Sequence, residues 1–488
     1  MSSPTHDSAV PRDGSPPAVR PTALAVLAVL AVTACVLLLA ACTGTGDGST
    51  PASDAATTAG TGGTGTALYL VDSNTGDPGL AALPAGTLDG VRGTAVGAVP
   101  SDALRLRLDA IDPSLADSGY RYAAESYDAV VGLALAAVAA QTDAASSVAS
   151  QLPAVTSGGA VCTEFAECRD ALLRGDDIDY DGQSGTLRLQ PDGNPAAAAV
   201  GIYRYDANNA VPGLAVPDTA APVPTVTVGP SPVASAESSG PAVSTTPKPD
   251  SGPTAPDSPG AGDGVLTVAT VLPTRGPLRA LGGAETAGAR LAVSDVNDAG
   301  GVLGRRVILV RAPGAAALVT GGVDAASNEA AALVSAGADA VLGGGAVSLT
   351  QPLVAPVTGA GALLVTPADP AATVASDAAA GLLFSLVAPA DAEGSTVGGL
   401  VTDDGHRSVA VLVARSAYGN AFVAGAKPVL TAAGANVTVQ RYDPTAARFG
   451  PPVRKVAAVG PDAVVLVGGE ESAAVVQAMV AEGLAPNG

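Results

Sequence analysis

Aromatic residues make up only 3% of this 488-residue chain, and tryptophan is absent. That scarcity, beside an excess of Ala, Gly and Val, is a compositional bias and says little about chemistry. Basic residues are also few: 24 Lys and Arg face 45 Asp and Glu, a net charge of −21. Nucleic acid as a partner is excluded on that balance, because phosphate binding needs a basic surface. Docking on anionic lipid through the protein surface is disfavoured for the same reason. Histidine is nearly missing: beyond the N-terminal segment only His406 remains, in "DDGHRS" ahead of an apolar run. A lone loop histidine reads as a surface residue. No triad, Cys/His pair or metal cluster can be assembled around it, so no enzyme activity, catalytic residue, metal or cofactor is expected. The length exceeds one average domain and allows a sizeable core.

The four cysteines sort by position. Arg12 and Arg20 precede an apolar run from Ala23 to Ala41, the pattern of a secretory leader, although the run is also long enough to span a bilayer. It ends in "LAAC", Leu39 to Cys42, which resembles the bacterial lipobox, where cleavage before the cysteine leaves a thiol for lipid attachment. On that resemblance residues 1–41 are a lipoprotein signal peptide and Cys42 is the lipidated N-terminus. Residues 42–66, rich in Thr, Gly, Asp and Ser, are then a flexible tether. The expected location is the extracytoplasmic face of the cell membrane, held there by the lipid anchor. Cys35 lies inside the leader. Cys162 and Cys168 in "VCTEFAEC" are left, and an even pair in an exported chain reads as a local disulfide. A two-thiolate metal site would need a second Cys or His pair, which the chain lacks.

Residues 67–211 form a first folded block. "ALYLVD" reads as a buried strand, "SDALRLRLDAI" and "YAAESYDAVVGLALAAVAAQ" as helices, and "GTLRLQ" and "AAVGIYRY" as later strands. Residues 212–263 are rich in Pro, Ser, Thr and Ala without apolar periodicity. Such a segment cannot bury enough surface to offset chain entropy and is expected to be a disordered linker. Block 264–488 alternates strand and helix. Strands are expected at Val265–Leu272, Val307–Arg311, Ala340–Gly343, Ala362–Thr366, Ser408–Ala414, Val437–Tyr442 and Asp462–Gly468, with helices such as Glu285–Asp298 and Ser472–Glu482 between them. Continuous apolar strands alternating with helices imply an α/β fold with parallel sheets. Two such runs, divided around Phe384–Gly394, imply two lobes. The last helix ends in a turn where another strand is due.

The stretches "LPTRGPLRALGGAETAGARLAVSDVNDAGGVLGRRV", "GADAVLGGGAVSLTQP", "LLVTPADPA", "VAVLVARSAYGNAF" and "DAVVLVGGEE" resemble the leucine/isoleucine/valine-type (branched-chain amino acid) substrate-binding proteins of ABC importers. Block 67–205 resembles the later part of the same family. Joined as 264–488 followed by 67–205, the pieces read as one binding protein, circularly permuted, with the linker bridging the old ends; a rearranged gene with mismatched halves is the alternative. As a coil the linker spans on the order of 40 Å, enough to cross a lobe. The resemblance implies a two-lobed type I periplasmic binding-protein fold. It also implies delivery of an amino-acid-like small molecule to an ABC permease by lobe closure. A ligand-sensing module without a transporter and a non-binding relic are the alternatives.

The same resemblance supplies candidate ligand-binding residues. In "VLGGGAVSLTQ" a glycine turn follows a strand, with Ser348 as the expected cap of the next helix and free backbone N–H groups suited to a carboxylate. Family members place hydroxyls in this loop; here Ser348 and Thr350 are present while Ala346 and Val347 depart. A second family segment, Ser-Pro-Ala-Ala-Thr-like, is matched by Thr366, Pro367 and Ala368, but Asp369 and Pro370 depart. Asp369 brings a negative charge toward the expected carboxylate site, which points away from an ordinary branched-chain amino acid and toward a cationic or amide-type ligand, or lost binding. Tyr418 matches a family tyrosine that packs on ligand. Glu470 and Asp72 follow strands that neighbour each other in the restored order and could pair with a ligand ammonium. Arg275, in the first loop, reads as solvated.

Overall fold

The computed structural model describes residues 65–211 and 260–487, apart from residues 76, 197–199, 274, 276–278, 313–321, 346, 371–378 and 380. Cys42, the leader, the tether up to residue 64 and linker residues 212–259 lie outside the described residues.

In chain order the first segment carries strand β1 (Thr66–Leu70), helix α1 (Pro78–Ala81), β2 (Arg92–Val96), α2 (Asp102–Ile111), α3 (Leu115–Ser118), α4 (Ala123–Ala140), α5 (Ala145–Val155), β3 (Ala160–Cys162), α6 (Phe165–Arg174), β4 (Ile178–Gly182), β5 (Gly185–Thr186) and β6 (Val200–Arg204). The second carries β7 (Thr267–Val271), α7 (Arg279–Asp298), β8 (Ile308–Arg311), α8 (Gly322–Ser335), β9 (Ala340–Gly343), α9 (Val347–Thr358), β10 (Leu363–Thr366), β11 (Leu383–Ser385), α10 (Ala390–Asp403), β12 (Ser408–Ala414), α11 (Ala417–Ala432), β13 (Asn436–Tyr442), α12 (Gly450–Ala457), β14 (Ala463–Val467), α13 (Ser472–Ala481) and β15 (Pro486–Asn487). All seven strands expected in the second block are present, shifted by at most two residues at either end. β11 was not expected; three residues are too few to show a period.

The strands form two large sheets. One runs β13-β12-β14-β1-β2-β6, with β15 also on β1; the other runs β11-β10-β9-β7-β8. Pairings are parallel except β2 with β6, which accounts for strands such as SVAVLVA being apolar along their length: helices cover both faces. The first segment supplies the middle of the seven-stranded sheet. Ala67, Leu68 and Tyr69 of β1 pair with Ala463, Val464 and Val465 of β14. The two blocks therefore share a sheet and a core rather than forming separate domains.

They also exchange helices. α4, buried all round, lies in the five-stranded lobe against α5 and α7. It is long and apolar enough to cross a membrane, but it is a core helix, with 89% of its residues buried. α4 and α7 cross so closely that a β-carbon on Gly288 would lie 2.1 Å from the carbonyl oxygen of Ala123, which requires glycine there. Ser126 Oγ donates to the Glu285 carbonyl across the same crossing at 2.7 Å. The strand expected from "GTLRLQ" is cut to two residues because Arg188 takes a left-handed backbone (φ 41°). Cys162 and Cys168 are disulfide-bonded, Cα to Cα 5.5 Å, tying β3 to α6. The second segment packs from residue 260, since Asp143 accepts hydrogen bonds from the Asp263 and Gly264 amides at 3.0 and 2.8 Å.

Among the described residues three chain crossings join the lobes: after β2, before β6, and between β11 and α10. Their residues Val96, Val200, Val387 and Ala388 form one small buried cluster together with Tyr122 and Ala368.

Candidate functional site

Around that hinge cluster, carboxyl groups gather from both lobes. From the seven-stranded lobe come Asp72, in the turn after β1, and Glu393, in the first turn of α10. From the five-stranded lobe come Glu125 of α4, Glu285 of α7 and Asp369 after β10. Arg121 and Tyr122, just ahead of α4, lie among them.

Asp72 joins the lobes. Its Oδ1 accepts from Arg121 Nη2 at 2.7 Å and from the Val96 amide at 2.9 Å, and its Oδ2 accepts from the Tyr122 hydroxyl at 2.8 Å. Tyr122 reaches this position because its backbone is left-handed, φ 61°, an uncommon conformation for a bulky residue. Glu393 is buried and satisfied: Oε1 accepts from Thr94 Oγ1 at 2.7 Å and the Asp72 amide at 2.8 Å, and Oε2 from the Tyr418 hydroxyl at 2.5 Å. Burial, with the neighbouring Asp72 charge, pushes the Glu393 carboxyl up to about 7.

The five-stranded lobe is different. Glu285 has no exposed surface, and neither of its carboxyl oxygens has a hydrogen-bond partner among the described residues. Glu125 accepts one bond, from the Ala98 amide at 2.5 Å, leaving Oε2 unpartnered. Asp369 accepts from the Thr350 hydroxyl and its amide donates to Thr366 Oγ1 at 2.9 Å. Burial raises all three, Glu125 to about 8, Asp369 to about 7 and Glu285 well above the ordinary carboxylate range; Asp369 and Glu125 then push Glu285 further. An unsatisfied buried polar group costs about 1–3 kcal/mol, more when charged. Asp128, also buried on α4, shows the contrast: it accepts from Tyr180 Oη, the Gln183 amide and both the amide and hydroxyl of Ser184, and so clamps a loop.

The glycine turn Gly344–Gly345 after β9, left-handed at both residues, closes over these acids. A β-carbon there would stand 2.9 Å from Asp369 Oδ2 and 3.2 Å from Glu285 Oε1. The Arg121 guanidinium pairs with Asp72, and its charge also reaches Glu125 and Glu285, so the acids outnumber the cation. They do not form a metal site: no group of three or more ligating side chains converges among the described residues. A compact organic cation has the chemistry to fit this surplus.

The structure sorts the residues expected from sequence. Asp72, Asp369 and Tyr418 lie at this cluster. Thr350 is fully buried and its hydroxyl is committed to Asp369; Ala368 packs in the hinge cluster. Ser348 falls inside the first turn of α9 rather than capping it, because the helix starts at Val347; its side chain is not among those described. Glu470 is exposed beyond the Gly468–Gly469 turn, and its neighbour Glu471 accepts from the Tyr442 hydroxyl. Arg275 is exposed. His406 lies beside Asp462 at 3.8 Å and meets the Tyr69 ring edge-on. Glu125, Glu285, Glu393, Arg121 and Tyr122 were missed.

Residues 265–488, less than half of the chain, match the family model described as periplasmic binding protein. The fold is that of a type I periplasmic binding protein. No curated protein matches the chain. Among solved structures, similar chains include a solute-binding protein of an ABC transporter from Rhodopseudomonas palustris in complex with benzoate (21% identity, 46% of this chain and 61% of that one, TM-score 0.37). A leucine-, isoleucine-, valine-, threonine- and alanine-binding protein from Brucella ovis is another (17%, 46% and 59%, TM-score 0.36). A third is an extracellular ligand-binding receptor from Verminephrobacter eiseniae (17%, 44% and 62%, TM-score 0.36). The chain thus spans less than two thirds of the length of each.

Proposed function

We propose that this protein is an extracytoplasmic solute-binding lipoprotein, anchored through Cys42, that closes its lobes on a small amino-acid-like cation and delivers it to an ABC permease. The observation that carries the ligand class is the buried Glu285 carboxyl without a partner, beside the half-satisfied Glu125 and the buried Asp369. In a closed cleft these groups need protons or a cation. A ligand ammonium or amidinium would supply donors to the open oxygens, and Asp72, Tyr418 and Glu393 would line the opposite wall.

The segment order fits a circular permutation: read as 260–487 and then 65–211, the strands run through the seven-stranded sheet without a break at β14 to β1. The test of function is calorimetry on the full-length protein in detergent with arginine, agmatine, putrescine, glutamine and leucine. Binding of the cations that is lost in Glu285→Gln is expected. Tight binding of leucine with none of the cations, or no binding by a folded protein, overturns the reading.

A further inference from the structure

A groove of about 710 Å³ runs in the five-stranded lobe between α7, β8 and the α2–α3 turn. Four arginines line it: Arg279 and Arg290 from α7, and Arg306 and Arg311 flanking or within β8. None of the four guanidinium groups has a hydrogen-bond or ion-pair partner among the described residues. The one acid in the lining, Asp112, has its carboxyl bound to Ser114 and is drawn down mainly by that hydroxyl and amide, with weaker pulls from Arg290 and Arg279. In a chain of net charge −21 such a surplus of positive charge is local and opposed to the rest of the surface.

The arginines are spaced along the groove. Asn297 bonds the backbone of Val307 at both its N–H and its C=O, which fixes the end of α7 beside the start of β8. α7 then runs antiparallel to β8. At 1.5 Å per helical residue and 3.3 Å per strand residue, the order along the groove is Arg306, then Arg290 and Arg311 nearly level, then Arg279, over roughly 30 Å. Arg279 also stands in the first turn of α7, where the helix dipole is positive and a cation is disfavoured unless an anion is shared with the free N–H groups.

We propose that this groove binds a linear polyanion, a chain of phosphates laid across the four arginines. A compact anion would engage one or two guanidinium groups and leave the others unpaired. Nucleic acid is disfavoured because no aromatic side chain lines the groove to stack a base. The proposal does not depend on what the cleft binds.

The test is titration of the full-length protein in detergent with long-chain polyphosphate, pyrophosphate, a single-stranded oligonucleotide, and phosphatidylglycerol added to the micelles. Long-chain polyphosphate is expected to bind best, and the double variant Arg290→Gln/Arg306→Gln to weaken it at least tenfold. The slope of log affinity against log salt should shrink by about 0.7 for each arginine removed. Glu285→Gln should bind polyphosphate as the wild type does, which separates this site from the cleft. Preferential binding of phosphatidylglycerol, whose headgroup carries a single phosphate, counts against a linear polyanion and overturns the proposal. The proposal is overturned if pyrophosphate binds as tightly as the long chain, if the oligonucleotide binds better, or if the variant, melting as the wild type does, binds equally well.

Discussion

Arg121 of the five-stranded lobe and Asp72 of the seven-stranded lobe are joined at 2.7 Å, and this ion pair ties the two lobes together amid a cluster of buried acids. Both side chains are more than four-fifths buried, so the pair is screened little. Removing its cation leaves Asp72, Glu125 and Glu285 facing one another. Arg121→Met is therefore expected to destabilise the protein by about 3 kcal/mol. Asp72→Asn should cost less, since an amide oxygen can still accept from the Val96 N–H while one negative charge is gone. Urea denaturation of the two variants at pH 7 checks the order; equal losses would count against the charge argument.

The buried acids also set a pH dependence. Glu125, Asp369 and Glu393 titrate higher in the folded protein than their ordinary values of 4.5, 3.8 and 4.5. The folded state therefore loses nothing through them below about pH 4, and loses stability as the pH rises through about 7 to 8. Glu125→Gln and Glu285→Gln remove that loss. Both variants should melt near the wild-type temperature at pH 5 and above it at pH 8, while cation binding falls. Stability gained as binding is lost is the signature of a strained site.

Thr350 tunes Asp369 through one hydrogen bond, which holds the carboxyl lower than burial alone would. Thr350→Val removes the donor and keeps the shape. The pH at which Asp369 ionises should then rise, and the acid limb of cation binding should move to higher pH with it. Binding measured from pH 5 to 9 checks this; an unmoved limb would mean that Asp369 does not titrate with the ligand.

Much of this architecture is legible in the sequence, because runs such as "VAVLVA" and "AVVLV" are apolar without alternation and flanked by helical spacing. Asp72 could be picked out because it directly follows a buried strand whose neighbour the restored order supplies. Glu125 and Glu285 could not. On a helix of small apolar residues a single glutamate reads as a solvent-facing position, and only the close crossing at Gly288 and Ala123 turns both inward. Glu470 also follows a strand, but two glycines intervene and the residue is exposed.

The segment order makes its own prediction. The Thr66 hydroxyl bonds the carbonyl of Pro461 across 395 residues of sequence, although β1 and β14 are adjacent strands. β15 adds to this, with Pro486 and Asn487 pairing Thr66 and Ala67. A chain in which residue 487 is joined to residue 65 through a short turn, and which is opened between residues 211 and 260, keeps every one of these contacts while shortening the loop that closes them. Loop-closure entropy grows only with the logarithm of length, so the rearranged chain should match the original in stability to within about 2 kcal/mol. It should fold faster, because its β1–β14 pairing is far more local. Refolding from urea, followed by circular dichroism, measures both quantities. A rearranged chain that fails to fold would show that the two segments are not halves of one continuous binding-protein fold.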